Sequence, residues 1–284
     1  MALPPAPPLG TPMLAADALA GQVVLVTGGG TGLGLAMAVE FARAGAAVAV
    51  ASRSAEHREK GVAEVAEIGG RCVGVPLDVR EPEAVAAAFD EVEAGLGPVT
   101  TLVNNAAGNF TSPAERMSAN AWRAVTSIVL DGTFLCSTEF ARRRIAAGEP
   151  GAILNIGATY SWTGGPGTAH SAAAKAGVTN LTQTLAVEWA PHGIRVNCLA
   201  PGPFPHDDLP ETLKRARPIE REAGRVPAGR VGSPHELGWA AVWMCSPFAA
   251  FLSGHTVVLD GANWLRRGLA MPEFVPVHQQ LGIA

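Results

Sequence analysis

The chain lacks most of the features that mark whole classes of function. It has one tyrosine in 284 residues, four cysteines, and a charged fraction of only 16%. Cys72, Cys136, Cys198 and Cys245 show no CxxC or other metal-ligand spacing, and the histidines have none either. The cysteines therefore read as reduced core thiols in a reducing compartment. Lys and Arg total 21 against 25 acidic residues, a net charge of −4 with no basic run. A nucleic-acid partner would need the opposite balance. No apolar run reaches the roughly 18–20 residues of a membrane span. The opening "MALPPAPPLGTP" has no Lys or Arg and is broken by proline, unlike a signal or transit peptide. The ending "LGIA" is not an "SKL"-type peroxisomal address. The expectation is a soluble, cytoplasmic protein with no nucleic-acid or membrane partner.

What is present is alternation. Apolar, β-branched runs at 22–27, 46–52, 71–79, 99–106, 151–157, 194–202 and 255–261 read as buried strands. Between them lie helical stretches at 33–45, 55–70, 81–97, about 118–146, about 170–190 and 233–245. Strands alternating with helices imply right-handed βαβ units and a parallel sheet covered on both faces. Residues 1–20 form an arm, 21–265 one domain, and 266–284 its tail; no repeat or linker divides the middle.

"TGGGTGLG" (27–34) joins the first strand to the first helix. Glycines there let backbone approach a pyrophosphate, and the helix start offers free N–H groups. With "LDV" (77–79), "NNAAG" (104–108) and "NCLAPG" (197–202), the turn resembles the short-chain dehydrogenase/reductase family over about residues 20–265. The resemblance implies an α/β, Rossmann-type, doubly wound seven-stranded parallel sheet, a nicotinamide cofactor and a homotetramer. It assigns Gly28, Thr31, Gly32 and Leu33 to the phosphates, and Asp78 and Val79 to adenine. Asn105 and Ala106 flank the adenosine ribose, Lys175 bonds the nicotinamide ribose, and Pro201 and Gly202 lie beside the nicotinamide. At the end of the second strand an NAD enzyme needs a carboxylate. Here Ser52 and Arg53 stand instead, a hydroxyl and a guanidinium suited to the 2′-phosphate of NADPH. Arg53 as a plain solvated charge is the alternative.

The family's usual Asn, Ser, Tyr and Lys are not all there. Their places hold Val129, Ala158, Ser171 and Lys175. A serine hydroxyl is too short and too weakly acidic for the proton that carbonyl reduction needs. The single tyrosine, Tyr160, lies fifteen residues before Lys175, just past the fifth strand, at the sheet edge where ligands bind. Tyr160, Ser171 and Lys175, with "NNAAGNFTSPAERMSANAW" (104–122), resemble the mitochondrial-type 2,4-dienoyl-CoA reductase branch. That resemblance implies that Tyr160 and Asn109 grip a thioester carbonyl oxygen, with Ser171 in support. It also implies that Arg80, Phe110 and Ser118 touch the CoA or acyl portion.

The chemistry agrees. Hydride arriving at the far end of a conjugated dienoyl thioester pushes charge onto its oxygen, which needs hydrogen-bond donors. Plain alternatives remain: Tyr160 as a packing residue, Asn109 as a turn former, and His170 as structural or as a proton relay. So do two other functions, a reductase of a carbonyl or polyketide-like substrate and an inactive NADP-binding homologue. The resemblance fails after "PGPF", where 205–224 begins acidic, and the tail has no reading.

Overall fold

The computed structural model describes residues 5–206, 208, 218–265 and 277–282. Seven strands form one parallel sheet: β1 (Val23–Thr27), β2 (Ala47–Ser52), β3 (Cys72–Pro76), β4 (Thr101–Asn104), β5 (Gly151–Ile156), β6 (Ile194–Pro201) and β7 (Thr256–Leu259). Their order is β3-β2-β1-β4-β5-β6-β7. The order reverses between β1 and β4, which pair Val24 with Thr101 and Val26 with Val103. In open α/β sheets the crevice outside the carboxyl ends at such a switch point is where ligands bind.

The strands are apolar throughout because both faces are buried. Val24, Val26, Val48 and Val50 point into a core shared with α1 (Gly32–Arg43). Val23, Leu25, Ala47 and Ala49 point the other way, toward α3 (Pro82–Leu96). α2 (Ala55–Glu67) starts at Ser54, whose hydroxyl accepts the His57 N–H. α8 (Pro234–Cys245) opens with a Ser233/Glu236 capping box and packs along α1.

Two expectations needed adjustment. The long helix expected over 118–146 is two helices, α4 (Ala119–Thr126) and α5 (Gly132–Ala147), fused through a π-helical turn at Ser127–Asp131. Such turns insert one extra residue per loop of helix and gather at functional sites. The third strand stops at Pro76, so Leu77, Asp78 and Val79 turn out over the sheet edge. The end of the arm is anchored: Leu19 is 1% exposed and its N–H donates to the Ala44 carbonyl. The fifth helical stretch is α7 (Ala169–Trp189), preceded by a single turn, α6 (Tyr160–Thr163).

A buried polar chain ties this layer together. Asn104 Nδ2 donates to Ser137 Oγ and to Asn155 Oδ1, and Asn155 Nδ2 donates to Thr182 Oγ1, each at 2.9 Å. The links join β4 and β5 to α5 and α7. A fully satisfied network of this kind fixes one arrangement of the elements that carry it.

No helix among the described residues is long and apolar enough to cross a membrane, and no group of three potential metal ligands occurs among them.

Candidate active site

A cleft of about 410 Å³ opens at the switch point. Gly28, Thr31, Gly32 and Leu33 form its floor, Ser52 and Arg53 one end, and Asp78, Val79, Asn105 and Ala106 a wall. The glycines are required by close approach. A Cβ on Gly30 would lie 2.0 Å from the His57 carbonyl oxygen, and one on Gly34 2.2 Å from the Gly28 carbonyl oxygen. The loop is thereby pressed flat, with backbone facing the cleft. Asn105 holds it from the other side: its side chain donates to the carbonyls of Thr27 and Gly28 at 3.0 and 3.2 Å.

The β2 end is also locked. Arg58 Nη1 donates to the carbonyls of Ser52 and Arg53 at 2.8 and 3.0 Å. That leaves the Arg53 side chain 62% exposed, with Nη1 4.0 Å from Asp78 Oδ2. Arg80 forks onto Asp78, with Nε 2.9 Å from Oδ1 and Nη2 on Oδ2. The Arg80 guanidinium holds the Asp78 carboxyl down at about 2, so Asp78 is ionised throughout the ordinary pH range.

The second half of the site is built on β5, α6 and α7. β5 delivers the chain to Ala158, and α6 turns it so that the Tyr160 hydroxyl lies 3.0 Å from Ser171 Oγ. Ser171 and Lys175 are four apart on α7 and share its face. Tyr160 is half-buried, whereas Ser171 and Lys175 are buried at 2% and 7% exposure. Lys175 Nζ donates to the Ile156 carbonyl. Burial drives the Lys175 ammonium down to about 8, while the nearby Cys198 works weakly against that shift. Burial also lifts the Cys198 thiol to about 11, which keeps it a thiol rather than a nucleophile.

His170 is fully buried next to Ser171; its Nδ1 accepts the Ser171 N–H at 2.7 Å. Desolvation lowers its pKa, against a weaker upward pull from the Thr168 backbone. Phe110 stands edge-on to that ring at 4.5 Å. The Ser112 N–H donates to the Gly167 carbonyl, tying the 110 loop to the turn before α7. Asn109 is exposed on that loop, directly before Phe110. Ser118 caps α4, accepting the Ala121 N–H at 3.1 Å, so part of its hydroxyl's capacity is already used. Val129 and Ala158 are both buried apolar residues.

The cleft therefore gathers the ten residues expected around the phosphates, adenine and ribose. Tyr160, Ser171 and Lys175 are gathered separately on α6 and α7. Pro201 ends β6 and Gly202 follows it, with the Gly202 N–H bonded to the Leu259 carbonyl. Sequence reasoning missed His57, Ile128 and His206, which also line the cleft. Ile128 sits in the π-turn, and no residue type there announces it. His206 belongs to the acidic stretch that had been singled out only for its charge.

The flattened glycine loop at a helix start, with a hydroxyl and a guanidinium at the β2 end, suits a dinucleotide phosphate chain. A family model described as enoyl-(acyl carrier protein) reductase matches residues 28–262. The chain belongs to the short-chain dehydrogenase/reductase family and is an oxidoreductase that uses a nicotinamide dinucleotide. Among its relatives is a probable 2,4-dienoyl-CoA reductase [(2E)-enoyl-CoA-producing] of Bacillus subtilis, 42% identical over 86% of this chain and 97% of that protein. A peroxisomal 2,4-dienoyl-CoA reductase [(3E)-enoyl-CoA-producing] of Danio rerio is 35% identical over 88% of this chain and 83% of its own length. Among solved structures, a gluconate 5-dehydrogenase of Burkholderia cenocepacia in complex with NADP and tartrate has a TM-score of 0.80 at 35% identity. It covers 88% of this chain and 98% of its own.

Proposed function

We propose that the chain is a cytoplasmic NADPH-dependent reductase of 2,4-dienoyl thioesters of coenzyme A. The observation that carries the proposal is the 3.0 Å pairing of the Tyr160 hydroxyl with Ser171, one helical turn from Lys175. The only tyrosine has been brought back to the helix whose ordinary tyrosine place holds serine. The names of the relatives, with identities of 35–42%, support the same substrate class.

When bound, the dinucleotide supplies a hydride. The residues of the chain then have three tasks. Tyr160 O–H and the Asn109 side-chain amide donate to the thioester oxygen, where negative charge collects as the conjugated system is reduced. Ser171 aims the phenol, because a hydroxyl 3.0 Å away restricts its rotation. Lys175 orients the ribose end and adds positive charge beside the phenol. A carbon then takes a proton from water at the Tyr160 edge. Arg80 and Phe110 flank the acyl-CoA portion, with Ser118 at its margin.

The buried apolar residues Val129 and Ala158 argue against ordinary ketone reduction, since they leave the serine and asparagine places of that reaction without donors. The test is direct. NADPH oxidation with a 2,4-dienoyl-CoA and none with a simple ketone is expected; reduction of the ketone alone overturns the reading.

For the cofactor, Arg53→Ala is expected to weaken NADPH binding about tenfold. This is the lower end for a hydrogen bond to a charged group, because Arg53 is largely exposed and screened. NADH binding should be unchanged. Equal affinities of the parent for both dinucleotides, measured by calorimetry, contradict the assignment.

The same proposal includes a homotetramer. Phe134 and Ile145 on α5 and Val187 on α7 are exposed at 46%, 37% and 80%. These two helices thus carry apolar surface that a second copy would cover. A monomer mass by light scattering at micromolar concentration refutes this part.

A further inference from the structure

The start of α1 already has an anionic partner from its own chain. The Gly32 N–H donates to Asp208 Oδ2 at 2.7 Å, across 176 positions of sequence. The other carboxylate oxygen, Oδ1, accepts from Lys60 Nζ at 2.6 Å. His206 reaches over the same glycine: its ring atoms lie 2.7–3.1 Å from where a Cβ on Gly32 would stand, and the ring lines the cleft. Burial pushes the Asp208 carboxyl up, but the bonds from Lys60 and Gly32 outweigh it and hold the group ionised.

Two anionic oxygens, one on a helix-terminal N–H and one on an ammonium, form the ligand set of a phosphate group rather than of a surface aspartate. The helix start also carries the positive end of the α1 dipole, which favours any anion placed there. Taking the cleft as a dinucleotide site, the geometry points to a self-occupied phosphate cradle. The Asp208 carboxylate stands where a pyrophosphate oxygen binds, and a dinucleotide enters only by displacing it.

Two consequences follow. Apparent cofactor affinity is the intrinsic affinity reduced by the fraction of molecules in which Asp208 is off the cradle. Cofactor entry also frees the Asp208 carboxylate from the Gly32 N–H and from Lys60.

The test is the dissociation constant of NADPH and of NADH, measured by calorimetry at one ionic strength, for three proteins: the parent, Asp208→Ala and Glu56→Gln. Glu56 is exposed in the first turn of α2. It removes the same charge close to the cleft without bonding Gly32. Asp208→Ala is expected to bind both dinucleotides about tenfold more tightly, since both carry the pyrophosphate, and Glu56→Gln less than twofold. In cofactor-free protein the Gly32 amide resonance should shift in Asp208→Ala and stay put in Glu56→Gln. Unchanged or weaker binding by Asp208→Ala overturns the inference. So does an equal gain in Glu56→Gln, which reduces the effect to net charge, or a gain for NADPH alone. If the parent binds neither dinucleotide, the reading of the cleft itself fails, and the inference goes with it.

Discussion

Tyr160→Phe is expected to lower turnover of a 2,4-dienoyl-CoA with NADPH by roughly 10² or more, the usual loss when one oxyanion donor is removed. The substitution deletes one hydroxyl and keeps the ring. Structural damage should be small, because that hydroxyl's partner among the described residues, Ser171, is a hydroxyl that can turn to another acceptor. NADPH binding should hardly change, since the cleft that holds the phosphates is lined by other residues. Asn109→Ala should behave alike, and the double variant should fall short of additivity if both groups hold one oxygen. Ser171→Ala should cost less than either, because it removes only the group that aims the phenol. Ser171→Tyr should not rescue Tyr160→Phe, as Val129 and Ala158 give the restored phenol no polar neighbours. Full activity in Tyr160→Phe together with a dead Ser171→Ala sinks the relocated-tyrosine account.

Lys175→Met is expected to separate activity from stability. Turnover should fall by on the order of 10², because the one cation on the Ser171 face of α7 is lost from a water-poor place. Stability should not follow. The native ammonium titrates at about 8 against an ordinary 10.5, because burial disfavours its charge. Each pH unit of such a difference is worth about 1.4 kcal/mol, so at pH 7 the native state carries a penalty of about 3 kcal/mol at this residue. Met removes the penalty but leaves the Ile156 carbonyl without its donor, which costs about 1–3 kcal/mol. The two nearly offset at neutral pH.

The pH dependence separates them. Between about pH 8 and 10.5 the unfolded chain binds the lysine proton and the native chain does not, so parent stability rises with pH. The buried thiols oppose this from about pH 8 upward. Burial raises Cys72 and Cys198 to about 11 and Cys136 and Cys245 to about 12, and a raised pKa loses stability as the unfolded thiols ionise first. Both proteins carry the same thiols, whose effect cancels in the difference between them, and the lysine effect is read at about pH 8–9. There the parent should gain about 1 kcal/mol on Lys175→Met in urea unfolding. Parallel stability curves for the two proteins would mean that Lys175 is not held at a depressed pKa.

The sheet was legible because its strands obey simple rules. Val24 and Val26 alternate with Val23 and Leu25, and burial on both faces turns that alternation into the unbroken apolar runs seen in the sequence. The glycine loop was legible because Gly30 and Gly34 have no room for a side chain. Ser118 also caps α4, a role that a serine directly before a helical stretch favours.

Other features depend on distance in space. The Ser127–Asp131 π-turn occupies residues that suit an α-helix equally well, so nothing local reports the extra residue. The Asn104–Asn155–Thr182 chain exists only once β4, β5 and α7 have met. Tyr160 and Ser171 are eleven residues apart and become neighbours only because α6 folds back. The bond from Gly32 to Asp208 spans most of the chain, and "PHDD" by itself shows only that the segment is acidic.

The most direct measurement of the central claim is steady-state NADPH oxidation by the parent and by Tyr160→Phe. The substrates are a 2,4-dienoyl-CoA and, separately, the matching saturated 3-oxoacyl-CoA. The account predicts turnover of the dienoyl thioester by the parent, a fall of roughly 10² in Tyr160→Phe, and no appreciable reduction of the oxo compound by either protein. Parent enzyme that reduces the 3-oxo group and leaves the diene untouched would contradict it.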